Sequence, residues 1–349
     1  MAQQDSAAAT SGKRGGATGG PSQVRVQLFD CDGGDATLEE AAIDPSSLSD
    51  RQLLWVDLQD NEGGDFDAVL KRITAKLGLD EGLTLLQDLD GRPHLVNFGE
   101  WFVVQVNAIE SVREGGTHFN GRGLNIACGT NFLLSVHRGP LQILDEFHAR
   151  ERGETRLGSL RAESFTASLL DWQVDTYLHA VTRFETAVDR LEVALLGERV
   201  HHDYLPQLAQ LRRGASRLRR MLAPHRQVFA SLARPDFRPD SEGKDEAEFR
   251  TLERRFERAI DAVEMARELV VGSFELFTTR SAQRTNETMR VLTFVTVLLG
   301  TLAVVAGALG MNFKATLFDN GNSGFWITLG LMGAFAILAT VLARWRRWM

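Results

Sequence analysis

Two hydrophobic periods divide this chain. Up to about residue 150 the apolar positions alternate or come in short blocks, and beyond about residue 159 they recur every three or four residues. Val24-Arg25-Val26-Gln27-Leu28 alternates as a strand does, and Leu53-Leu54-Trp55-Val56-Asp57-Leu58 is a short block that suits a buried strand. Phe66, Val69, Leu70, Ile73 and Leu77 share one helix face, with Gly78 as the expected stop. Residues 101–108, 124–128 and 131–137 predict three more strands, the last ended by Gly139-Pro140. Glu114-Gly115-Gly116 and Asn120-Gly121 carry turn chemistry. Strands and helices in alternation predict a layered α/β domain over residues 24–158.

The second period predicts long helices. Phe165, Leu169, Leu170, Val174, Tyr177, Leu178, Val181, Phe184, Val188, Leu191 and Leu195 step along one face, far beyond the length of an average helix. Residues 205–232 read as a second helix, rich in arginine, so that 159–240 forms an antiparallel arm ending in a linker at 234–240. Phe249, Leu252, Phe256, Ile260, Val263, Val270, Phe274 and Phe277 lie on one face of a third. Neither proline nor a glycine pair interrupts that helix. It can run from about residue 245 to 309, roughly 100 Å at 1.5 Å per residue. A helix that long needs partners along its apolar stripe, and other copies of the chain are the simplest supply.

Its last part changes character. Residues 291–309 contain no charge, nor do residues 325–343. About 20 apolar residues cross a ~30 Å hydrocarbon core, so these are two transmembrane helices joined by an outer loop at 310–324. The segment 241–290 is then a stalk and 344–349 a basic tail. Arg280, Arg284 and Arg290 precede the first span; Arg344, Arg346 and Arg347 follow the second; the loop holds only Lys314 and Asp319. Positive flanks stay inside, which places both termini in the cytoplasm; a bacterial inner membrane is the expected location. Trp345 and Trp348 suit the interfacial aromatic belt. The competing reading of the two apolar runs is a buried hairpin in a soluble protein.

Composition narrows the classes. The formal net charge is −7, which leaves no basic footprint for nucleic acid. Cys31 and Cys128 form neither a CxxC motif nor a disulfide framework. Residues 1–23 open on Gly, Ala, Ser, Thr and Gln and read as a disordered tail, without a signal-peptide pattern. No nucleophile–base pair, paired acid or metal-ligand cluster stands out, so the expectation is a protein that is not an enzyme and carries no cofactor.

One motif sits where the first span ends: Gly310-Met311-Asn312. It closes a longer pattern, Asn286-Glu287-Thr288-Met289-Arg290-Val291-Leu292-Thr293, then 16 residues, then Gly310-Met311-Asn312-Phe313. With Trp55-Val56-Asp57-Leu58, Arg92-Pro93, residues 131–137 and Leu218-Arg219-Arg220-Met221-Leu222-Ala223-Pro224, the chain resembles the CorA family of divalent-cation transporters over about residues 24–349. The resemblance implies a homopentamer, an α+β cytoplasmic funnel domain with a helical arm and stalk, and a central pore lined by the first span. The cargo it implies is Mg²⁺, with Co²⁺ and Ni²⁺ beside it.

The chemistry of the motif agrees. Mg²⁺ releases its water reluctantly. A ring of Asn312 carbonyl oxygens can accept hydrogen bonds from the hydrated ion, where a ring of carboxylates would release it slowly. Gly310 would permit a tight exit from the helix, and Met311 would pack. Asn312 equally suits a plain helix cap. The resemblance implies a pore stripe of Asn286, Met289, Leu292, Thr296, Gly300, Ala303 and Gly307, three or four apart as one face requires. Met289 and Leu292 are candidates for a dewetting constriction, and ordinary interhelical packing is their other reading. Glu275 stands where the family often has an acidic funnel residue; a solvated helix face accounts for it as well.

Departures from the family pattern concern the ion. The usual mid-span proline is missing, and residues 299–302 read Leu-Gly-Thr-Leu, so a kink would fall on Gly300. Leu309 replaces the usual aromatic. The acidic outer loop is replaced by Phe313-Lys314-Ala315-Thr316-Leu317-Phe318-Asp319-Asn320-Gly321. This favours a second reading, Zn²⁺ transport with proton coupling as in the ZntB-like branch. Asp171, Asp175, Glu242, Asp245, Glu246 and Glu248 are available for a regulatory metal, or are solvated charges. His201-His202 lacks a third ligand at metal spacing, and the Arg212–Arg220 run reads as an exposed face pairing with acidic neighbours. A membrane-anchored sensor without ion flux is the reading from a different class.

Overall fold

The computed structural model describes residues 20–110, 118–141, 144, 145, 147, 160–197, 204–237, 244–311 and 322–346. It forms two compact units. One holds the chain up to Leu191 together with Leu205–Val271, and the other holds Glu192–Tyr204 with Gly272–Met349.

The first unit is built on a seven-stranded sheet. The strands are β1 (Gln23–Asp30), β2 (Ala36–Leu38), β3 (Gln52–Asp60), β4 (His94–Asn97), β5 (Phe102–Glu110), β6 (Asn120–Cys128) and β7 (Phe132–Arg138), in spatial order β2-β1-β3-β7-β6-β5-β4. All neighbours run antiparallel except β3 and β7, which pair Leu54 with Phe132 through Asp60 with Arg138. A parallel pair needs a crossover, and here it contains α1 (Phe66–Leu77), α2 (Leu83–Gln87) and the β4–β6 meander.

The burial of β3 explains its unbroken apolar run. Leu54, Val56 and Leu58 pack with Val69, Leu70, Ile73 and Leu77 of α1 on one face. On the other face Trp55 meets Phe147 and Phe165 edge-on, ring centroids 5.3 Å apart in both cases. A strand covered on both sides cannot alternate. Helix α1 ends as expected, with Gly78 left-handed at φ 71°.

Among the described residues five more α-helices follow: α3 (Ala162–Leu196), α4 (Tyr204–Leu222), α5 (Arg226–Leu232), α6 (Lys244–Leu309) and α7 (Asn322–Trp345). In the first unit α3 buries Phe165, Leu169, Leu170, Val174, Tyr177, Val181, Phe184 and Val188, and α6 buries Phe249, Leu252, Phe256, Ala259, Val263, Ala266 and Val270.

Two sequence expectations need correction. The helix over 205–232 is two helices, because Pro224 has no N–H to donate and clashes with the preceding turn; residues 223–225 make a single 3₁₀ turn. Asn120-Gly121 opens β6 instead of turning the chain. Glycine serves inside that strand at Gly123, where a Cβ would lie 1.9 Å from the Leu89 carbonyl oxygen. The loop that presses there is tied down by Asn125 and Gln105, whose side-chain amides donate to the Asp88 carbonyl. β2, β4 and α2 have no sequence signal; they are three to five residues long, too short for a period to register. Residues 1–19, 114–116, 201 and 202 lie outside the described set.

Candidate ion pathway

Helix α6 continues unbroken through Gly300 to Leu309. No residue in the most apolar windows of α6 and α7 is buried within the chain, which fits a membrane hairpin. In the second unit the apolar part of α6 has reduced exposure only at Phe294, Leu298, Leu302 and Leu309, and α7 at Gly324, Thr328, Met332, Ala336, Ala339, Thr340 and Ala343. At 100° per residue, the pore candidates lie on the opposite face of α6. Asn286, Met289, Leu292, Thr296, Gly300, Ala303 and Gly307 are all exposed. That continuous apolar and small-residue face is covered by nothing among the described residues. The Thr296 hydroxyl donates to the Leu292 carbonyl at 2.8 Å, leaving its oxygen lone pairs to accept from a passing water.

Gly310 follows the last helical residue, and its N–H donates to the Ala306 carbonyl at 3.0 Å. It is not among the glycines with positive φ, and a Cβ there would make only ordinary 3.5 Å contacts. The expected conformational need for glycine is therefore absent in the single chain. Met311 is exposed. Asn312 and the rest of the outer loop to residue 321 lie outside the described residues. Glu275 is exposed, two residues from the buried Ser273, whose hydroxyl donates to Glu192 at 2.6 Å.

The acidic residues considered for a regulatory metal behave differently. Asp171 and Asp175, one turn apart on α3, both accept from Arg255 of α6. Their charge is already answered by a guanidinium. Burial, with Asp175 alongside, still holds the Asp171 carboxyl above its ordinary value despite Arg255. Glu248 is exposed; Glu242 and the side chains of Asp245 and Glu246 lie outside the described set. Among the described residues no group of His, Cys, Asp and Glu is arranged to hold a metal ion.

Two buried polar knots escaped sequence reasoning. His225, at the turn between α4 and α5, accepts from the Asn107 backbone N–H at 2.9 Å through Nε2, and its Nδ1 lies 3.0 Å from the Leu222 carbonyl. Gln173 and Tyr177 of α3 donate to the Asn107 carbonyl, so one residue of β5 joins both α3 and the turn after α4 to the sheet. Burial pushes the His225 ring down to about 4. In the second knot Trp55 donates to Ser135, which donates to Asp57 at 2.5 Å; His137 Nε2 stands 3.4 Å from the same carboxylate. All four are buried and serve the β3–β7 pairing. The signal was present: an aspartate inside an apolar strand block needs a partner.

The profile described as "CorA-like Mg2+ transporter protein" matches residues 50–344. The chain belongs to the CorA-like Mg²⁺ transporter family. Members of that family are transporters, not enzymes, and a divalent-cation transporter is the coarse function that follows. The cobalt/magnesium transport protein CorA of Thermotoga maritima is 30% identical over 189 residues, 54% of this chain and 53% of the relative. The divalent cation transporter CmaX of Pseudomonas aeruginosa is 28% identical over 76% of this chain and 79% of its own length. Among solved structures, the complete CorA magnesium transporter from Methanocaldococcus jannaschii superposes with TM-score 0.70 at 20% identity, covering 93% of this chain and 98% of that one. The ZntB cytoplasmic domain from Vibrio parahaemolyticus covers 74% of this chain at TM-score 0.52 and 12% identity. At such identities these structures establish the CorA fold alone: sheet domain, helical arm, long stalk helix and two apolar C-terminal helices.

Proposed function

We propose that the protein carries divalent cations in hydrated form, Mg²⁺ foremost with Co²⁺ and Ni²⁺ as further cargo, through a pore formed by the first spans of several copies, five by resemblance. The observation that carries this reading is the uncovered face of α6 from Asn286 to Gly307, which leads to Gly310, Met311 and Asn312. A face of neutral oxygens, small residues and two large apolar side chains suits an ion that keeps its water. Met289 and Leu292, 55% and 57% exposed in the single chain, become a dewetting constriction when copies bring them together. Glu275 lies further inside and gathers cations. The arginine flanks put both termini in the cytoplasm of an inner membrane. An inside-negative potential contributes about 2.3 kcal/mol per charge per 100 mV, hence roughly 4.6 for a divalent ion, so no nucleotide is required. The printed descriptions of the Thermotoga and Pseudomonas relatives support divalent cargo.

Zn²⁺ with proton coupling is the second reading, favoured by Lys314 and the missing acidic segment in the outer loop. Flux into liposomes separates the two. Mg²⁺ uptake that follows an imposed potential and disappears in Asn312→Ala, with the assembly intact, is the expected result. Zn²⁺ uptake that needs a pH gradient assigns the zinc reading. Absence of flux for either ion leaves a membrane-anchored sensor.

A further inference from the structure

The end of the chain reverses the charge of the rest. After Glu275 there are six arginines and one lysine against two acidic residues, in a chain that carries −7. Arg280, Arg284 and Arg290 of α6 and Arg344 and Arg346 of α7 are exposed, and none makes an ion pair among the described residues. Their sign sets the direction of the spans, but it does not supply a partner for five guanidinium groups.

Their direction narrows the partner. Each residue turns a helix by about 100°, so positions eighteen apart point the same way. Arg280 therefore points with Leu298 and Arg284 with Leu302, along the row of α6 that has reduced exposure, and Arg290 stands one turn before Phe294 of that row. The pore candidates occupy the opposite face, so these arginines do not line the proposed ion path. On α7, Trp326 and Trp345 are 66% and 82% exposed. Nineteen residues separate them, about 28 Å along the helix. That matches the thickness of a hydrocarbon core, and amphipathic indole rings settle at its two borders. Arg344 and Arg346 flank Trp345 and lie at headgroup depth. Arg290 directly precedes the uncharged part of α6. Arg284 lies about 9 Å further in, within the ~8–10 Å reach of a membrane surface potential at physiological salt. The outer border holds Phe325 and Trp326 but neither arginine nor lysine among the described residues.

We propose that Arg284, Arg290, Arg344 and Arg346 bind the phosphate groups of anionic phospholipids in the leaflet at the cytoplasmic end of the spans. The proposal rests on the membrane hairpin and its orientation as read above, and is independent of the ion carried. A planar guanidinium donates two hydrogen bonds to one phosphate. Trp345 holds the end of α7 at the depth where those phosphates lie. Anchors of this kind set the tilt and rotation of a span.

The test uses the full-length protein in vesicles of equimolar phosphatidylcholine and phosphatidylglycerol. Both leaflets have the same composition, so the direction of insertion does not alter the reading. Spin-labelled forms of each lipid report how much of it is held at the protein surface. The expected result is a preference for phosphatidylglycerol of about fivefold or more, the effect of one arginine at an anionic surface, that weakens as salt is raised. Arg284→Gln with Arg290→Gln, and Arg344→Gln with Arg346→Gln, are made as separate pairs so that each variant keeps basic charge for insertion. Each pair should lower the preference at least about twofold, and Arg280→Gln, a turn further from the membrane, should lower it less. Equal association of the two lipids, or a preference that neither pair lowers, overturns the proposal. A loss as large in Arg280→Gln also overturns it, because the charge would then act diffusely. Mg²⁺ flux in the same vesicles keeps the two readings apart. Flux without a lipid preference leaves the pore reading standing and sinks this one, and a preference without flux does the reverse.

Discussion

The sheet domain and the spans solve opposite problems. In the first unit Trp55, Phe102, Phe165, Tyr177, Phe184, Phe229 and Phe256 are all buried within one chain, and the Asn107 carbonyl and the buried Asp57 and Ser135 side chains are hydrogen-bonded. In the second unit the residues carrying the proposed function are exposed: Met289 and Leu292 stand 55% and 57% open. One unit is complete as a single chain. In the proposed assembly the other acquires its surroundings from lipid and from further copies. A side chain's exposure in the single chain therefore means little in the spans and a great deal in the sheet domain.

The largest expected effect separates these two regimes. Phe256 is fully buried and stacks on Phe229 with centroids 4.5 Å apart. Phe256→Ala should cost about 3–5 kcal/mol, as large-to-small core changes do, read as a lowered denaturant midpoint of the full-length protein in detergent. Leu292→Ala should leave that midpoint within error and instead change Mg²⁺ conductance in liposomes. Equal destabilisation by both would break the distinction.

His225 gives the next largest effect, through pH. Its folded-state value of about 4 lies below the 6.5 of an ordinary imidazole. The unfolded ring takes up its proton first as pH falls. The contribution of the neutral buried ring is therefore whole above pH 6.5 and drains away between 6.5 and about 4, a loss of about 3 kcal/mol. Unfolding midpoints measured across that range should show this slope, and His225→Gln should flatten it. A native slope equal to the variant's would mean the ring is not held neutral by burial.

Arg255 supplies the smallest of the three. Arg255→Ala leaves Asp171 and Asp175 without their shared cation, but all three side chains are about one-third exposed. Water screens part of the loss, so about 1–2 kcal/mol is expected. Neutralising the partners as well, with Asp171→Asn and Asp175→Asn, should recover much of it. Failure to recover would show that Arg255 acts through packing of its stem.

Legibility followed length and period. The α1 stripe, the β3 block and the α3 and α6 stripes are repeated signals, and their elements stand where the period put them. β2 and β4 hold only three and four residues at the sheet edges and give no repeat to read. For the ion pathway, the 3–4 spacing from Asn286 to Gly307 was visible as one face. The division of α6 into a partly covered row at Phe294, Leu298 and Leu302 and an open row opposite was not, since an apolar span is apolar all round.

By itself the sequence determined the long helices, the two uncharged runs, the charge at their ends and the family, because each is a property of residue order along one axis. The tertiary structure decided which charges are already spent: Asp171 and Asp175 look free in the sequence, yet Arg255 reaches them from 80 and 84 residues away. It decided too that Asn107 is the joint between sheet and helices, and that Gly123 is required by the Leu89 carbonyl and not by a turn. Contacts between distant segments depend on how layers pack in three dimensions, and no local period encodes them.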